Sequence, residues 1–150
     1  MKIRSSNDMK RYNHLCGEIE AVYHEMSLKL GLSDSAMAVL YSICIGGDSC
    51  LLQEICRQSG VSKQTINSAI RKLEAEGILY LESVNAKNKN VCLTEKGKLL
   101  AQSTAIKIID IENSIFASWQ TEDVEKYLEL TERFLTSLQE ETKKMKGVSR

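Results

Sequence analysis

At 150 residues, with 43% hydrophobic residues and no proline, the chain is long enough to bury a core and lacks the residue that most often breaks helices. Its 20 basic and 20 acidic side chains cancel, which excludes a binder driven by overall charge; five cysteines, odd in number and without a Cys-x-x-Cys pair, argue against a disulfide scaffold. No apolar run approaches the roughly 18 to 20 residues that cross a bilayer, and the opening Met1-Lys2-Ile3-Arg4 lacks the apolar centre of a secretion signal, so a cytoplasmic protein that engages no membrane is expected.

The absence of proline and the presence of only two phenylalanines favour a mainly helical chain with little sheet. From about residue 8 to 30, Met9, Tyr12, Leu15, Cys16, Ile19, Val22, Tyr23, Met26 and Leu30 recur at three- and four-residue steps, one apolar stripe on a long helix that Gly31 ends. Ser33 caps a second helix, with Asp34 in its first turn and Met37, Leu40, Tyr41 and Cys44 inward, stopped by Gly46 and Gly47. A short third helix is expected to start near Asp48 or Ser49 and to bury Leu52, Ile55 and Cys56 up to a turn at Gly60.

Ser62 is the expected N-cap of a fourth helix that runs through Leu73 and ends at Gly77. Ile78 to Leu81 and Val91 to Leu93 read as two short strands around an Asn- and Lys-rich loop, Glu82 to Asn90. Thr94 can cap a long fifth helix through Trp119, and Thr121, followed by Glu122 and Asp123, opens a sixth carrying Val124, Tyr127, Leu128, Phe134, Leu135 and Leu138. The expected order is therefore four helices, a small β-hairpin and two more helices.

Leu52 to Arg71 fits a helix-turn-helix. Cys56 is small enough for two helices to approach, Gly60 can take the positive φ of the turn, and Ile66, Ile70 and Leu73 fix the second helix to the core. The strand, polar loop and strand that follow, closed by Leu93-Thr94-Glu95-Lys96-Gly97, complete the winged arrangement, in which the helix enters a major groove and the loop reaches phosphates or a minor groove. Charge agrees: residues 61 to 98 hold seven basic against four acidic side chains and form the one net positive segment.

The sequence resembles the MarR family of transcription regulators. The likeness lies in Leu30-Gly31-Leu32-Ser33-Asp34-Ser35-Ala36-Met37-Ala38-Val39-Leu40, in Val61 to Glu74 with Gly77-Ile78, and in Val91-Cys92-Leu93-Thr94-Glu95-Lys96-Gly97. The resemblance implies a winged helix-turn-helix over 33–97 and a helical dimerisation part over 1–32 and 98–150, within a single domain of 150 residues. It implies a homodimer on a pseudo-palindromic double-stranded DNA operator, acting as a repressor and modulated by a small-molecule effector.

By the same resemblance Ser62, Lys63, Gln64, Thr65, Asn67, Ser68 and Arg71, with Lys72 beside them, lie on the DNA face, where amides suit adenine edges and Arg suits guanine or phosphate. Wings of the family commonly carry Asp and, two residues on, Arg; here these positions hold Asn85 and Lys87, so Lys87 and Lys89 are expected to attract DNA without a planar guanidinium fork.

Ile108, Ile115, Phe134, Leu135 and Leu138 are candidates for packing across a two-fold axis. Tyr12, Tyr23 and Tyr41, with Trp119, are candidates to line an effector pocket, though aromatics at helical spacing are more often plain core. Cys16 reads as a structural thiol. His14 and His24, the only histidines, form no ligand cluster with the cysteines, so neither a metal nor a cofactor is expected. With no phosphate-cradling glycine loop and no nucleophile elbow, the reading is not that of an enzyme. The alternative is a winged-helix module for protein interaction or dimerisation without DNA contact.

Overall fold

The structure is a computed structural model that describes residues 5–148. Its elements, in chain order, are α1 (Asn7–Lys29), α2 (Asp34–Ile45), β1 (Ser49–Leu51), α3 (Leu52–Ser59), α4 (Lys63–Ala75), β2 (Leu79–Ser83), β3 (Lys89–Leu93), α5 (Glu95–Ser103), α6 (Ala105–Ala117) and α7 (Thr121–Lys144). The described chain falls into two compact units, one extending to Ile109 and the other beginning at Asp110.

The helix boundaries follow from capping. The Ser6, Ser33, Ser62 and Thr94 side chains accept hydrogen bonds from Met9, Ala36, Thr65 and Gly97 N–H respectively, each satisfying a donor left free in a first turn. At Gly60, φ is +65° and its N–H bonds to the Cys56 carbonyl, which is the left-handed stop the helix-turn-helix requires.

The core of the first unit joins Val39, Leu40 and Ile43 of α2, Ile55 of α3 and Ile66, Ile70 and Leu73 of α4 to Leu79, Val91 and Leu93 of the sheet. Ala101, Ala105 and Ile108 close it from the C-terminal side. In α4 these side chains recur at three- and four-residue steps, whereas Val91, Cys92 and Leu93 of β3 are buried consecutively.

The sheet has three antiparallel strands in the order β1-β3-β2, against the two expected. Ser49, Cys50 and Leu51 face Cys92, Val91 and Asn90, and the Leu93 N–H bonds to the Asp48 carbonyl. The residue pattern predicts a helix from Asp48 or Ser49. In fact three residues of strand precede α3, because β3 offers a free edge, and a strand this short carries no periodicity of its own.

The expected single fifth helix breaks at Thr104 into α5 and α6. Thr104 has φ −133° and ψ −91°, outside the helical region. Its hydroxyl donates to the Leu100 carbonyl at 2.6 Å, and its N–H turns to Ala101, three residues back. A Thr side chain that bonds the preceding turn competes with the backbone ladder, and here it does so fully buried. Ile108, a candidate for the two-fold axis, is consequently part of the protomer's own core.

The end of the wing is tied to the end of α4. Thr94 donates its hydroxyl to Gly77 O at 2.6 Å, and its N–H donates to Ile78 O at 3.0 Å. This brings the first turn of α5 so close that a Cβ on Gly97 would lie 2.1 Å from the Ile78 carbonyl oxygen.

In the second unit, no residue of α7 is buried, and Tyr127, Leu128, Leu130, Phe134, Leu135 and Leu138 are exposed. Phe116 and Trp119 lie 5.3 Å apart between centroids, with Tyr127 edge-on to Trp119 at 5.7 Å, so an aromatic trio spans the turn into α7. No single helix among the described residues is long and apolar enough to cross a membrane.

Gly97→Ala should cost the fold about 1 to 3 kcal/mol, because the new methyl must displace backbone. Gly60→Ala, strained only through its φ, should cost about 1 to 2 kcal/mol. Urea denaturation of both variants measures the difference, and an unchanged midpoint for Gly97→Ala would remove the close-approach argument.

Candidate nucleic-acid interface

α4 shows how a 13-residue helix can be held and displayed at once. Ile66, Ala69, Ile70 and Leu73 recur at three- and four-residue steps and are buried. The opposite side presents Lys63, Gln64, Ser68, Arg71 and Lys72 to solvent, with Asn67 half-buried at the edge. Lys63, Gln64, Asn67, Ser68 and Arg71 together line a shallow depression of about 470 Å³ along the helix.

Ser62 and Thr65 sit at its start. The Ser62 side-chain oxygen accepts from Thr65 N–H at 3.2 Å and donates to the Thr65 hydroxyl at 2.9 Å, so the first turn is ordered before any ligand arrives. At the far end the Lys96 ammonium donates to the Glu76 carbonyl at 2.9 Å, a cation on the negative end of the helix dipole. Both ends of α4 are thus fixed by groups from the chain around it.

Among the described residues, most cations of the first unit, those of this face included, take part in no ion pair. In the same unit Lys29, Arg57 and Lys98 are paired with Glu25, with Glu54, and with Asp48 and Glu95. Among the described residues, Lys63, Arg71, Lys72, Lys87 and Lys89 take part in no ion pair. Exposed pairs contribute only about 0 to 1 kcal/mol, so leaving five cations unpaired costs the fold little while directing their field outward.

The wing turn runs from Val84 to Asn88 between β2 and β3. The Asn85 side-chain oxygen accepts from Lys87 N–H and from Asn88 N–H, each at 3.0 Å, and Val84 N–H donates to the Asn88 carbonyl. Asn85 therefore shapes the turn through the backbone, a role the sequence reading did not assign. The signal was an Asn two residues before Lys87 in a loop, the usual setting of an Asx turn.

The proposed effector residues are spread out. Tyr12 and Tyr23 are exposed on α1, whereas Tyr41 is half-buried on α2 against the core. The three tyrosines line neither the depression along α4 nor the neighbouring cleft between α4 and the α1–α2 turn. All five cysteines are free thiols. Burial pushes Cys44, Cys50 and Cys92 above the usual thiol range, which keeps them protonated and unreactive at neutral pH. Cys16 is half-buried. No group of three His, Cys, Asp or Glu among the described residues could hold a metal ion.

These features define a winged helix-turn-helix: α3, a left-handed glycine turn, α4 displayed outward, and a β2–β3 wing. Residues 30–87 match the family model of the MarR family. No curated protein matches the sequence.

Solved structures extend the likeness to almost the whole chain. NMB1585, a MarR family regulator from Neisseria meningitidis, is 17% identical, with a TM-score of 0.82 over 94% of this chain and 100% of that one. MepR from S. aureus in its DNA-binding conformation is 15% identical, with a TM-score of 0.72 over 89% and 99%. A MarR protein from Peptoclostridium difficile is 21% identical, with a TM-score of 0.67 over 97% and 96%. At these identities the likeness is one of fold.

Ser62→Ala should lower stability by about 1 kcal/mol through loss of the cap. Ser62→Asp, which can accept the same N–H, should retain most of it. Thermal unfolding followed by circular dichroism distinguishes the two; equal losses would mean the cap is not what holds the first turn.

Proposed function

We propose that this chain is a sequence-specific, DNA-binding transcription regulator, a cytoplasmic repressor that acts as a homodimer on a pseudo-palindromic operator and not a catalyst. The observation that carries the reading is the displayed side of α4, where unpaired Lys63, Arg71 and Lys72 flank Gln64 and Asn67. Asn and Gln pair bidentately with adenine, Arg with guanine, and the first-turn hydroxyls suit a phosphate at the helix N-terminus.

The family match supports this reading, and so do the relatives. MepR has been solved in complex with DNA. PcaV from Streptomyces coelicolor was solved with its natural ligand, and DNA binding by BpsR from Bordetella bronchiseptica is regulated by 6-hydroxynicotinic acid. A small effector is accordingly part of the proposal, with Tyr12, Tyr23 and Tyr41 as its candidate contacts.

Two recognition helices must be held roughly 34 Å apart to read successive major grooves, which calls for a dimer. Met9, Leu15, Ile19 and Val22 on α1 and Phe134, Leu135 and Leu138 on α7 are exposed apolar surface of the kind a two-fold contact covers. The parts 1–32 and 98–150 are thus assigned to dimerisation, and 33–97 to DNA.

Arg71→Ala and Asn67→Ala should each remove about 1 to 3 kcal/mol of discrimination between a duplex selected from random sequence and a scrambled one. Lys72→Ala should weaken both duplexes alike. A wild-type protein that selects no sequence above its nonspecific background ends the proposal. Separately, Leu135→Glu with Leu138→Glu should convert a dimer to monomers in sedimentation velocity; an unaltered dimer would move the contact elsewhere.

A further inference from the structure

Just past the end of α4, three successive carbonyls, those of Glu76, Gly77 and Ile78, are all taken by one short segment, residues 94–96. The Lys96 ammonium donates to Glu76 O at 2.9 Å, and the Thr94 hydroxyl donates to Gly77 O at 2.6 Å and shares its proton with Ile78 O at 3.1 Å. The Thr94 N–H donates to Ile78 O as well, at 3.0 Å. We propose that Thr94 and Lys96 are positioning residues for sequence discrimination: without touching DNA, they set where α4 stands along its own axis and so whether Asn67 and Arg71 meet base edges in register. This rests on the DNA-binding reading above and adds to it two residues that lie outside the displayed side of α4.

Burial and hydrogen bonding restrain different motions. The stripe of Ile66, Ala69, Ile70 and Leu73 decides which side of α4 faces outward, but the hydrophobic effect has no direction, so it resists turning the helix over more than a small slide along its axis. Hydrogen bonds weaken steeply with distance and angle, and bonds to three successive carbonyls oppose that slide. The clamp is itself held. The Thr94 side chain accepts from Gly97 N–H at 3.0 Å, the Leu79–Leu93 strand pair brings the two segments together, and the backbone of Gly97 stands against the Ile78 carbonyl with no room for a side chain between them.

Position matters more for reading bases than for holding phosphates. Arg71 precedes Glu76 by five residues, about 7 to 8 Å along the axis, and the helical ladder between them carries a displacement of one end to the other. A bidentate contact to a base edge needs two hydrogen bonds at about 2.7 to 3.2 Å at once, whereas an ammonium on a flexible four-carbon stem follows a phosphate that has moved. A slide of α4 therefore costs the base contacts of Asn67 and Arg71 and spares the phosphate contacts. Neither Thr94 nor Lys96 lines the depression along α4, so their effect passes through the helix.

The test is binding of the full chain to two duplexes, one selected from random sequence by the wild-type protein and one scrambled, read by fluorescence anisotropy over a range of salt. Lys96→Met and Thr94→Val should each lower the ratio of the two affinities about tenfold, the size of one lost bidentate contact, and leave the slope of log K against log salt unchanged. Lys96→Arg and Thr94→Ser, which keep a donor, should hold the wild-type ratio. Loss of folded protein weakens both duplexes in proportion and leaves their ratio alone, so the ratio reports position apart from stability. Lys96→Met removes no cap and decides the matter if Thr94→Val fails to fold. A wild-type ratio in Lys96→Met and Thr94→Val overturns the proposal while DNA binding stands, as does a loss of the ratio that Lys96→Arg and Thr94→Ser share. A flattened slope in Lys96→Met makes Lys96 a backbone contact and overturns it too. Wild-type protein that selects no sequence ends the operator reading itself, and the positioning role with it.

Discussion

Everything that α4 can do depends on the burial of one stripe. Ile66, Ala69, Ile70 and Leu73 sink into the core made by α2, α3 and the sheet, and because a helix has two sides, that burial turns Lys63, Gln64, Ser68, Arg71 and Lys72 outward. Fully burying an Ile or Leu contributes about 1.5 to 3 kcal/mol, far more than any exposed polar group could gain by turning inward. The orientation of the displayed side is therefore a consequence of packing. No contact on that side is needed to maintain it.

The surrounding elements extend the same logic to position. Gly60 fixes the angle at which the chain enters α4, the Ser62 cap defines its first turn, and the Lys96 ammonium and Thr94 hydroxyl reach back to Glu76 and Gly77 at its end. Thr94 serves the wing and the helix together, since it ends β3, caps α5 and is bonded to the turn after α4. A displacement of the wing must therefore strain the helix end, which couples the two surfaces proposed to meet DNA.

Most of this was legible in the sequence, and what was missed shares a cause. The caps at Ser33, Ser62 and Thr94, the stops at Gly31, Gly60 and Gly77, and the buried stripe of α4 each follow from a local chemical requirement, so residue type and spacing suffice to find them. The strand β1 and the break at Thr104 do not. Ser49 to Leu51 become a strand only because β3 lies beside them. Thr104 leaves the helix by bonding Leu100 while Ala105 and Ile108 enter the core, a choice made by tertiary packing within a pattern that is helical throughout. On the site, residue type marked the cations of α4 and the wing. Their gathering with Leu51 and Leu52 around one cleft needed the fold, because the three contributing segments are distant in sequence.

A neutral chain and a nucleic-acid surface are compatible because a polyanion meets a local surface and not the net charge. Within the first unit Lys29, Arg57 and Lys98 spend their charge on carboxylates of the same protomer, whereas Lys63, Arg71, Lys72, Lys87 and Lys89 do not. At physiological salt the screening length is about 8 Å, so a polyanion at the surface senses the nearest charges and little of the remainder. The net charge of zero then bears on solubility and nonspecific association, and the cations of α4 and the wing set the local potential there. Arg71 stands beside the amides of Gln64 and Asn67, while Lys87 and Lys89 share a cleft with Leu51 and Leu52, and Lys63 lines both.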